Sequence, residues 1–439
     1  MISSLSSFLW GPALLLLLGF THIFLTFRLR FVQRYILTAL KLSFSRKREG
    51  AGEISQFGAM TTSLAATVGT GNIVGVATAV AAGGPGAVLW MWLTGVFGFA
   101  TKYAEAVLAV KYRVANPDGS FSGGPMYALE RGLKCRWLAL AFSAFTAFAA
   151  LGIGNMVQAN SIVGLMHETL AAPHWLTGIV LALLTAVVIL GGIKSIARVS
   201  EVLVPFMVLF YIAGCLYLLL AGWSTLWDSL CLIIGDAFTG HAAIGGFVGA
   251  GMREAVRYGV ARGLFSNEAG LGSAPIVAAA AQTRNPVRQA LVSATGTFWD
   301  TVVVCAITGL VLVNSGQWLA GHDGVHLTRA AFAAIPGVGP IVLTIALFTF
   351  VFSTILGWCY YGEKAVEYLF GSRAIRPYRV IWVLAVFVGS VSELKTVWDL
   401  ADIANAMMAL PNVLSLLLLS PVIVAETRKY LWNGGLDEE

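Results

Sequence analysis

The residues best suited to chemistry in this sequence are Gly69, Thr70, Gly71 and Asn72, set in the middle of TSLAATVGTGNIVGVATAV (62–80). The flanks of that stretch are apolar enough to cross a bilayer, yet its centre is made of poor helix formers. Close helix packing explains part of the pattern, because Gly71 and Gly75 form a GxxxG pair. It explains Gly75 but not the adjacent Thr70 and Asn72. A nucleotide fingerprint fits worse, since the spacing is GxGxxxG and no strand or soluble βα unit precedes it. An unwound centre fits best. It would expose a half-helix N-terminus near Asn72, whose free N–H groups and positive dipole end suit a carboxylate. The carbonyls left over around Thr67 and Val68 would suit a monovalent cation.

A second weak point is GLFSNEAGLGSAP, residues 263–275, where Ser266, Asn267 and Glu268 stand between MREAVRYGVARG and an apolar helix containing Pro275. An ionisable group at membrane depth points to function, although Glu268 is equally placed to cap the inner half-helix. Arg253, Glu254, Arg257 and Arg262 either line an aqueous vestibule or pair among themselves. In GIGNMVQANS, Asn155 and Gln158 are three apart and share a helix face. In VFSTILGW, Ser353 and Thr354 precede Trp358, with Thr354 and Trp358 four apart and therefore neighbours. A hydroxyl pair beside freed carbonyls would complete an oxygen cage for sodium, and the tryptophan could wall a small pocket. Each pair also has a plain reading, as hydroxyls bonding back to their own helix or side chains packing between helices. Asp300 is either a structural hydrogen-bonding group or a proton site. Lys102 and Glu105 are expected to pair or to snorkel toward the cytoplasmic face.

Positioning such groups requires a scaffold within the membrane, and the composition supplies one. Of 439 residues, 58% are hydrophobic and only 11% charged, against roughly 25% charged in soluble domains. Mean hydropathy is +0.80. Eleven apolar runs are expected to span, near 8–27, 54–82, 84–111, 137–165, 174–192, 200–222, 246–281, 289–313, 338–368, 378–392 and 399–424. The first lacks the basic start and small-residue cleavage site of a signal peptide. Basic residues follow it instead: Arg28, Arg30, Arg34, Lys41, Arg46, Lys47 and Arg48. Taking that side as cytoplasmic makes alternate loops agree, through Lys111, Arg113, Arg131, Lys134 and Arg136, then Lys194 and Arg198, then Arg284 and Arg288. The series continues with Arg373, Arg376 and Arg379, and ends with Arg428 and Lys429, whereas the opposite loops offer Arg329 and Lys395. The N-terminus is thus expected outside and the C-terminus in the cytoplasm.

With the first helix set aside, ten spans divide five and five, and the two halves would be inverted in the membrane. NIVGVATAVAAGG from Asn72 and NEAGLGSAPIVAAAA from Asn267 share N-x-x-G before an alanine-rich helix, each opening its own half. The expected divisions are 1–50, an extra helix and basic loop; 51–222 and 223–425, the two repeats; and 426–439, a cytoplasmic tail. The net charge of +6 lies in short loops and is no nucleic-acid signal. Five scattered cysteines suit small buried side chains better than a disulfide or metal framework. No GxxxxGK[ST] supports ATP hydrolysis, and no HExxH or GxSxG supports an enzyme. A channel would need a continuous polar path, whereas the polar groups here concentrate at a few midplane points.

These stretches resemble the alanine/glycine:cation symporter family, bacterial secondary transporters of the amino acid–polyamine–organocation superfamily. The resembling segments are TSLAATVGTGNIVGVATAVAAGGPGAVLWMW (62–92), GNMVQANS (154–161), GLFSNEAGLGSAPIVAAAA (263–281) and ADIANAMMALPNVLSLLLLSPVI (401–423). The resemblance implies an all-α polytopic membrane protein with the 5+5 inverted repeat of the leucine transporter, preceded by one extra helix. It implies Na⁺-coupled uptake of alanine or glycine through the bacterial cytoplasmic membrane, with H⁺ coupling in some members. By position, the backbone of Gly69–Asn72 would meet the substrate carboxylate, and Gln158, Phe265 and Trp358 would shape the pocket. Thr67, Val68, Ser353 and Thr354 would bind Na⁺. The substrate ammonium is then left to carbonyls near Phe265, Ser266 and Asn267, to amides or to Glu268. Glu268 and Asp300 are the candidates for proton coupling. Amino acid exchange is the competing mode, and no nucleic acid, ATP or obligatory protein partner is expected.

Overall fold

The computed structural model describes residues 2–45, 50–239, 248–322, 324–392 and 395–438. Arg46, Lys47 and Arg48 of the expected basic loop, and the start of the 246–281 run, lie outside the described residues, as does the side chain of Lys395. The chain opens with α1 (Ile2–Leu9) and α2 (Pro12–Arg28), the latter begun by a proline whose missing N–H costs a first turn nothing. Arg30 and Phe31 take left-handed backbone, and the chain turns 68° into the segment holding α3 (Ile36–Ser43). Next comes α4 (Gln56–Thr67), capped by the Ser55 hydroxyl, which accepts from the Gly58 N–H at 2.8 Å. A π-helical turn at Gly71–Gly75 leads into α5 (Val76–Gly83), bent by 54° from α4. The weak point read from VGTGN is a real break.

Then follow α6 (Ala87–Lys111), a small hairpin pairing Val114–Ala115 with Phe121–Ser122, and α7 (Pro125–Tyr127). A π-helical turn at Gly152–Met156 joins α8 (Arg136–Leu151) to α9 (Val157–Leu170). The chain continues through α10 (His174–Ile189), α11 (Gly192–Ala221), α12 (Trp223–Thr239), α13 (Val248–Asn267) and α14 (Pro275–Ala278). Beyond lie α15 (Pro286–Thr297) and α16 (Ala306–Asn314), joined through a π-helical stretch at Phe298–Cys305, then α17 (Gly324–Phe332) and α18 (Gly339–Phe370). Last come α19 (Ile375–Val391), α20 (Lys395–Leu418) and α21 (Ser420–Thr427).

Among the described residues, seven helices are long and apolar enough to cross a membrane, or up to nine if each of two bent pairs counts as one span. Two of the expected spans fall outside that count for physical reasons. With 16 residues α10 is short, and the 246–281 run is interrupted between α13 and α14 and carries an arginine-rich face. Helix α6 is central, with 83% of its most apolar window buried, against 33% for α11 and 28% for the α19 segment. The outer helices turn Leu183, Val187, Val202, Leu209, Val380 and Leu384 outward. Apolar residues pointing away from the core fit hydrocarbon as the solvent. The chain is a multi-pass helical membrane protein.

Candidate substrate and cation site

At the first break α4 stops at Thr67, and Val68 is extended (φ −76°, ψ 94°). The Gly69 N–H, freed from the helix, donates to Asn72 Oδ1 at 2.9 Å, so the asparagine folds back to satisfy the backbone it interrupts. Asn72 Nδ2 donates to Asp300 Oδ1 at 2.7 Å and to the Asp300 carbonyl at 3.1 Å. The other Asp300 oxygen accepts from Ser266 Oγ at 2.9 Å and Thr301 Oγ1 at 2.7 Å. Since Asn72 belongs to the first break and Ser266 to the second, one buried carboxylate clasps both interrupted spans.

At the second break α13 ends at Asn267, Glu268 turns left-handed (φ 55°), and Gly270 and Gly272 follow at φ 92° and 87°. Left-handed backbone suits glycine and strains glutamate, so Glu268 is held there by its surroundings. Helix α6 supplies much of the hold. Lys102 Nζ donates to the Asn267 carbonyl at 2.7 Å, at the negative end of α13. Glu105 Oε1 accepts from the N–H groups of Gly270 (3.0 Å) and Gly272 (3.1 Å) and from Asn412 Nδ2 (2.7 Å). The two side chains therefore neither pair with each other nor snorkel. Each is spent on backbone that the break left without a partner.

Between the breaks lies a small cavity of about 20 Å³. Thr67, Gly69, Thr70 and Gly71 bound it from the first break, and Phe265, Glu268 and Leu271 from the second. Ala66, Ile153, Gln158, Thr354, Trp358 and Asn405 close it. Gln158 Nε2 donates to the Ile153 carbonyl at 3.1 Å, while its Oε1, like Asn405 Oδ1, is buried with no hydrogen-bond partner among the described residues. Glu268 accepts from Trp358 Nε1 at 3.1 Å and from Ser273 Oγ. Trp358 can stand there because residue 154 is glycine, as any Cβ at that position would strike the indole. At one end Thr354 Oγ1 comes within 3.4 Å of the Val68 carbonyl. The cavity thus offers N–H groups at a helix start, two orphan acceptors, one carboxylate and a pair of converging oxygens.

Two broken spans around a small polar cavity are the pattern of a secondary transporter. Comparison with known proteins agrees, because the model of the sodium:alanine symporter family matches residues 1–437. The chain belongs to that family. A relative named sodium/alanine symporter AgcS, from Methanococcus maripaludis, is 51% identical over 441 residues, covering 98% of this chain and 96% of the relative. An uncharacterized transporter of Haemophilus influenzae is 50% identical over 434 residues, covering 98% and 95%. Among solved structures, MhsT in complex with L-phenylalanine superposes with a TM-score of 0.60, at 16% identity, over 85% of this chain and 98% of MhsT. A manganese transporter from Eremococcus coleocola superposes at 0.55, with 12% identity, over 86% of this chain and 82% of its own. At such identities the likeness is one of fold.

In this member of the symporter family, most of the residues singled out from sequence fall into two groups. Thr67, Gly69, Thr70, Gly71, Gln158, Phe265, Glu268, Thr354 and Trp358 line the cavity. Asn72, Ser266, Asn267 and Asp300 are buried behind its wall, the first, second and fourth in the clasp and Asn267 against Lys102 and Thr94. Val68 presents its carbonyl to Thr354, while Ser353 Oγ donates to the Phe350 carbonyl at 2.8 Å. Asn155, three residues before Gln158, turns away and donates to the Trp382 carbonyl at 2.9 Å. Asn405 was not among the candidates. It is a polar amide inside the family-resembling segment 401–423, which is the signal that could have found it, and the packing of α20 brings it to the cavity.

Proposed function

We propose that the chain carries a small neutral amino acid, alanine or glycine, into the cell together with Na⁺, by alternating access across the bacterial cytoplasmic membrane. The observation that carries the reading is the polarity of the cavity. The substrate carboxylate would meet the helix start at Thr70–Gly71, and the ammonium would face Gln158 Oε1, Asn405 Oδ1 and Glu268. Phe265 and Trp358 leave little room for a side chain, and each excluded methylene is worth about 1–3 kcal/mol in such a pocket. Na⁺ would sit between the Val68 carbonyl and Thr354 Oγ1, with Thr67 and Ser353 beside them. Two oxygens each about 2.4 Å from a hard cation, at a right angle, lie about 3.4 Å apart. That is the observed separation of this pair, 3.4 Å. The reading includes eleven spans, two inverted five-helix repeats after one extra helix, and the positively charged loops on the cytoplasmic side. One charge falling through 100 mV yields about 2.3 kcal/mol, roughly a 50-fold accumulation.

The test is alanine uptake by purified protein in proteoliposomes under an inward Na⁺ gradient, an inward H⁺ gradient, or neither. Concentrative uptake with Na⁺ alone is the expected result. Thr354→Ala is expected to raise the Na⁺ concentration for half-maximal uptake by about tenfold or more, the scale on which metal sites respond to altered ligands. Ser353→Ala should move it in the same direction. Uptake driven only by H⁺ would favour a second reading, in which the carboxylate of Glu268 in the cavity wall, or Asp300 in the clasp, carries the proton. Uptake that requires amino acid preloaded inside would mean exchange.

A further inference from the structure

A larger cavity, sharing no lining residue with the candidate site, lies between α10 and α19, with a volume of about 430 Å³. Its walls are apolar: Ala186, Ile189 and Leu190 on one side, Val380, Val383 and Leu384 on the other. It opens outward among side chains that face the hydrocarbon, with Leu190 72% and Val380 60% exposed. Water gains little from filling such a groove, whereas an acyl chain fits its chemistry. The groove is not apolar throughout, because Arg376 and Arg379 close one end.

The two arginines are not equivalent. Arg379 is engaged, its Nε and Nη2 donating to both oxygens of Glu363 at 2.7 and 2.9 Å. Its remaining nitrogen reaches the Leu190 carbonyl only at 3.4 Å. Arg376, one turn earlier on the same helix, is exposed and makes no hydrogen bond or ion pair among the described residues. A free guanidinium beside an underused N–H, at the mouth of an apolar groove, is a receptor for a group that is anionic at one end and aliphatic at the other. Both arginines stand in the first two turns of α19, at the end expected on the cytoplasmic side, where anionic headgroups lie and where basic pockets between helices take them.

We infer that this groove binds one anionic phospholipid of the cytoplasmic leaflet, its phosphate on Arg376 and on the free edge of Arg379, and an acyl chain along the α10–α19 wall. Bidentate guanidinium–phosphate pairing supplies the orientation. The inference does not depend on what the protein transports, and binding is measured without transport.

The experiment titrates the purified full chain, in an uncharged detergent, with phosphatidylglycerol, with phosphatidylethanolamine and with glycerol phosphate. Bound lipid is counted by native mass spectrometry, and thermal unfolding is followed in parallel. One phosphatidylglycerol per chain is expected to bind saturably and raise the unfolding temperature, with phosphatidylethanolamine weaker and glycerol phosphate without effect. Arg376→Gln removes an exposed, unpartnered charge and leaves the fold intact. It is expected to weaken phosphatidylglycerol binding about fivefold, the worth of one arginine at an anionic surface. Ala186→Phe fills the groove without touching charge and should weaken binding as well. Equal binding of the two lipids, or wild-type affinity in Arg376→Gln, would overturn the inference. So would glycerol phosphate binding as well as the whole lipid.

Discussion

Gly69→Ala is expected to abolish concentrative alanine uptake, lowering it on the order of 100-fold, while the protein still inserts and unfolds near the wild-type temperature. A misplacement of about 1 Å in a positioned site costs that much. A Cβ at residue 69 would lie 2.5 Å from Thr354 Oγ1 and 3.7 Å from Gln158 Oε1. Thr354 has no easy retreat. It is β-branched and stiff at χ1, and its hydroxyl already donates to the Phe350 carbonyl at 2.9 Å. Any relief moves Thr354 away from the Val68 carbonyl or pushes α18 back, and either change disturbs the oxygens proposed for Na⁺. Gly69 does not have left-handed backbone, so alanine there tests space rather than strain. Gly71 makes a graded companion. Its Cβ would lie 3.4 Å from Ser266 Cα and 3.6 Å from Phe265 Cδ1, which is ordinary contact. Gly71→Ala should keep measurable uptake, and Gly71→Val should lose it as two further methyls wedge between the broken spans. Normal uptake by Gly69→Ala or by Gly71→Val would remove the first break from the substrate site.

Glu105→Ala carries the largest expected effect on stability, a loss of about 3–5 kcal/mol, the range seen when one partner of a buried charge network is removed. One oxygen of Glu105 receives three hydrogen bonds, from Gly270, Gly272 and Asn412. Alanine would leave the two loop N–H groups without that acceptor in a dry interior, each at about 1–3 kcal/mol. It would also leave buried Lys102 with one anion fewer nearby. Glu105→Gln keeps an acceptor oxygen in place and should recover much of the loss, so the pair of variants separates the hydrogen bonds from the charge. Thermal unfolding in detergent reads both. If Glu105→Ala unfolds at the wild-type temperature, the loop of the second break is held by something other than this carboxylate.

What the sequence determined by itself was local. The apolar runs required a membrane-embedded helical chain, because the surface of a soluble domain carries far more charge than the 11% found here. The interruptions at VGTGN and SNEAGLG required breaks, because glycine, asparagine and a buried glutamate oppose a continuous helix wherever they occur. Both are visible as breaks in the structure, the first as a 54° bend and the second as left-handed backbone at Glu268, Gly270 and Gly272.

Only the tertiary structure decided which face of each break looks into the cavity. Asn72 and Thr70 are equally polar in the sequence, yet Thr70 lines the cavity and Asn72 turns to Asp300, 228 residues away. Ser266 and Phe265 divide in the reverse sense, the aromatic ring toward the cavity and the hydroxyl toward the clasp. Lys102 and Glu105 looked like partners because they are three apart on one helix, but the unmet backbone of a distant segment attracts each of them more strongly. Asn405 lies in the family-resembling segment 401–423, but nothing in its neighbours says which face it turns to. Periodicity and propensity act over a few residues, whereas a buried polar group goes to whichever unsatisfied partner the packing brings within 3 Å, and that partner can come from anywhere in the chain.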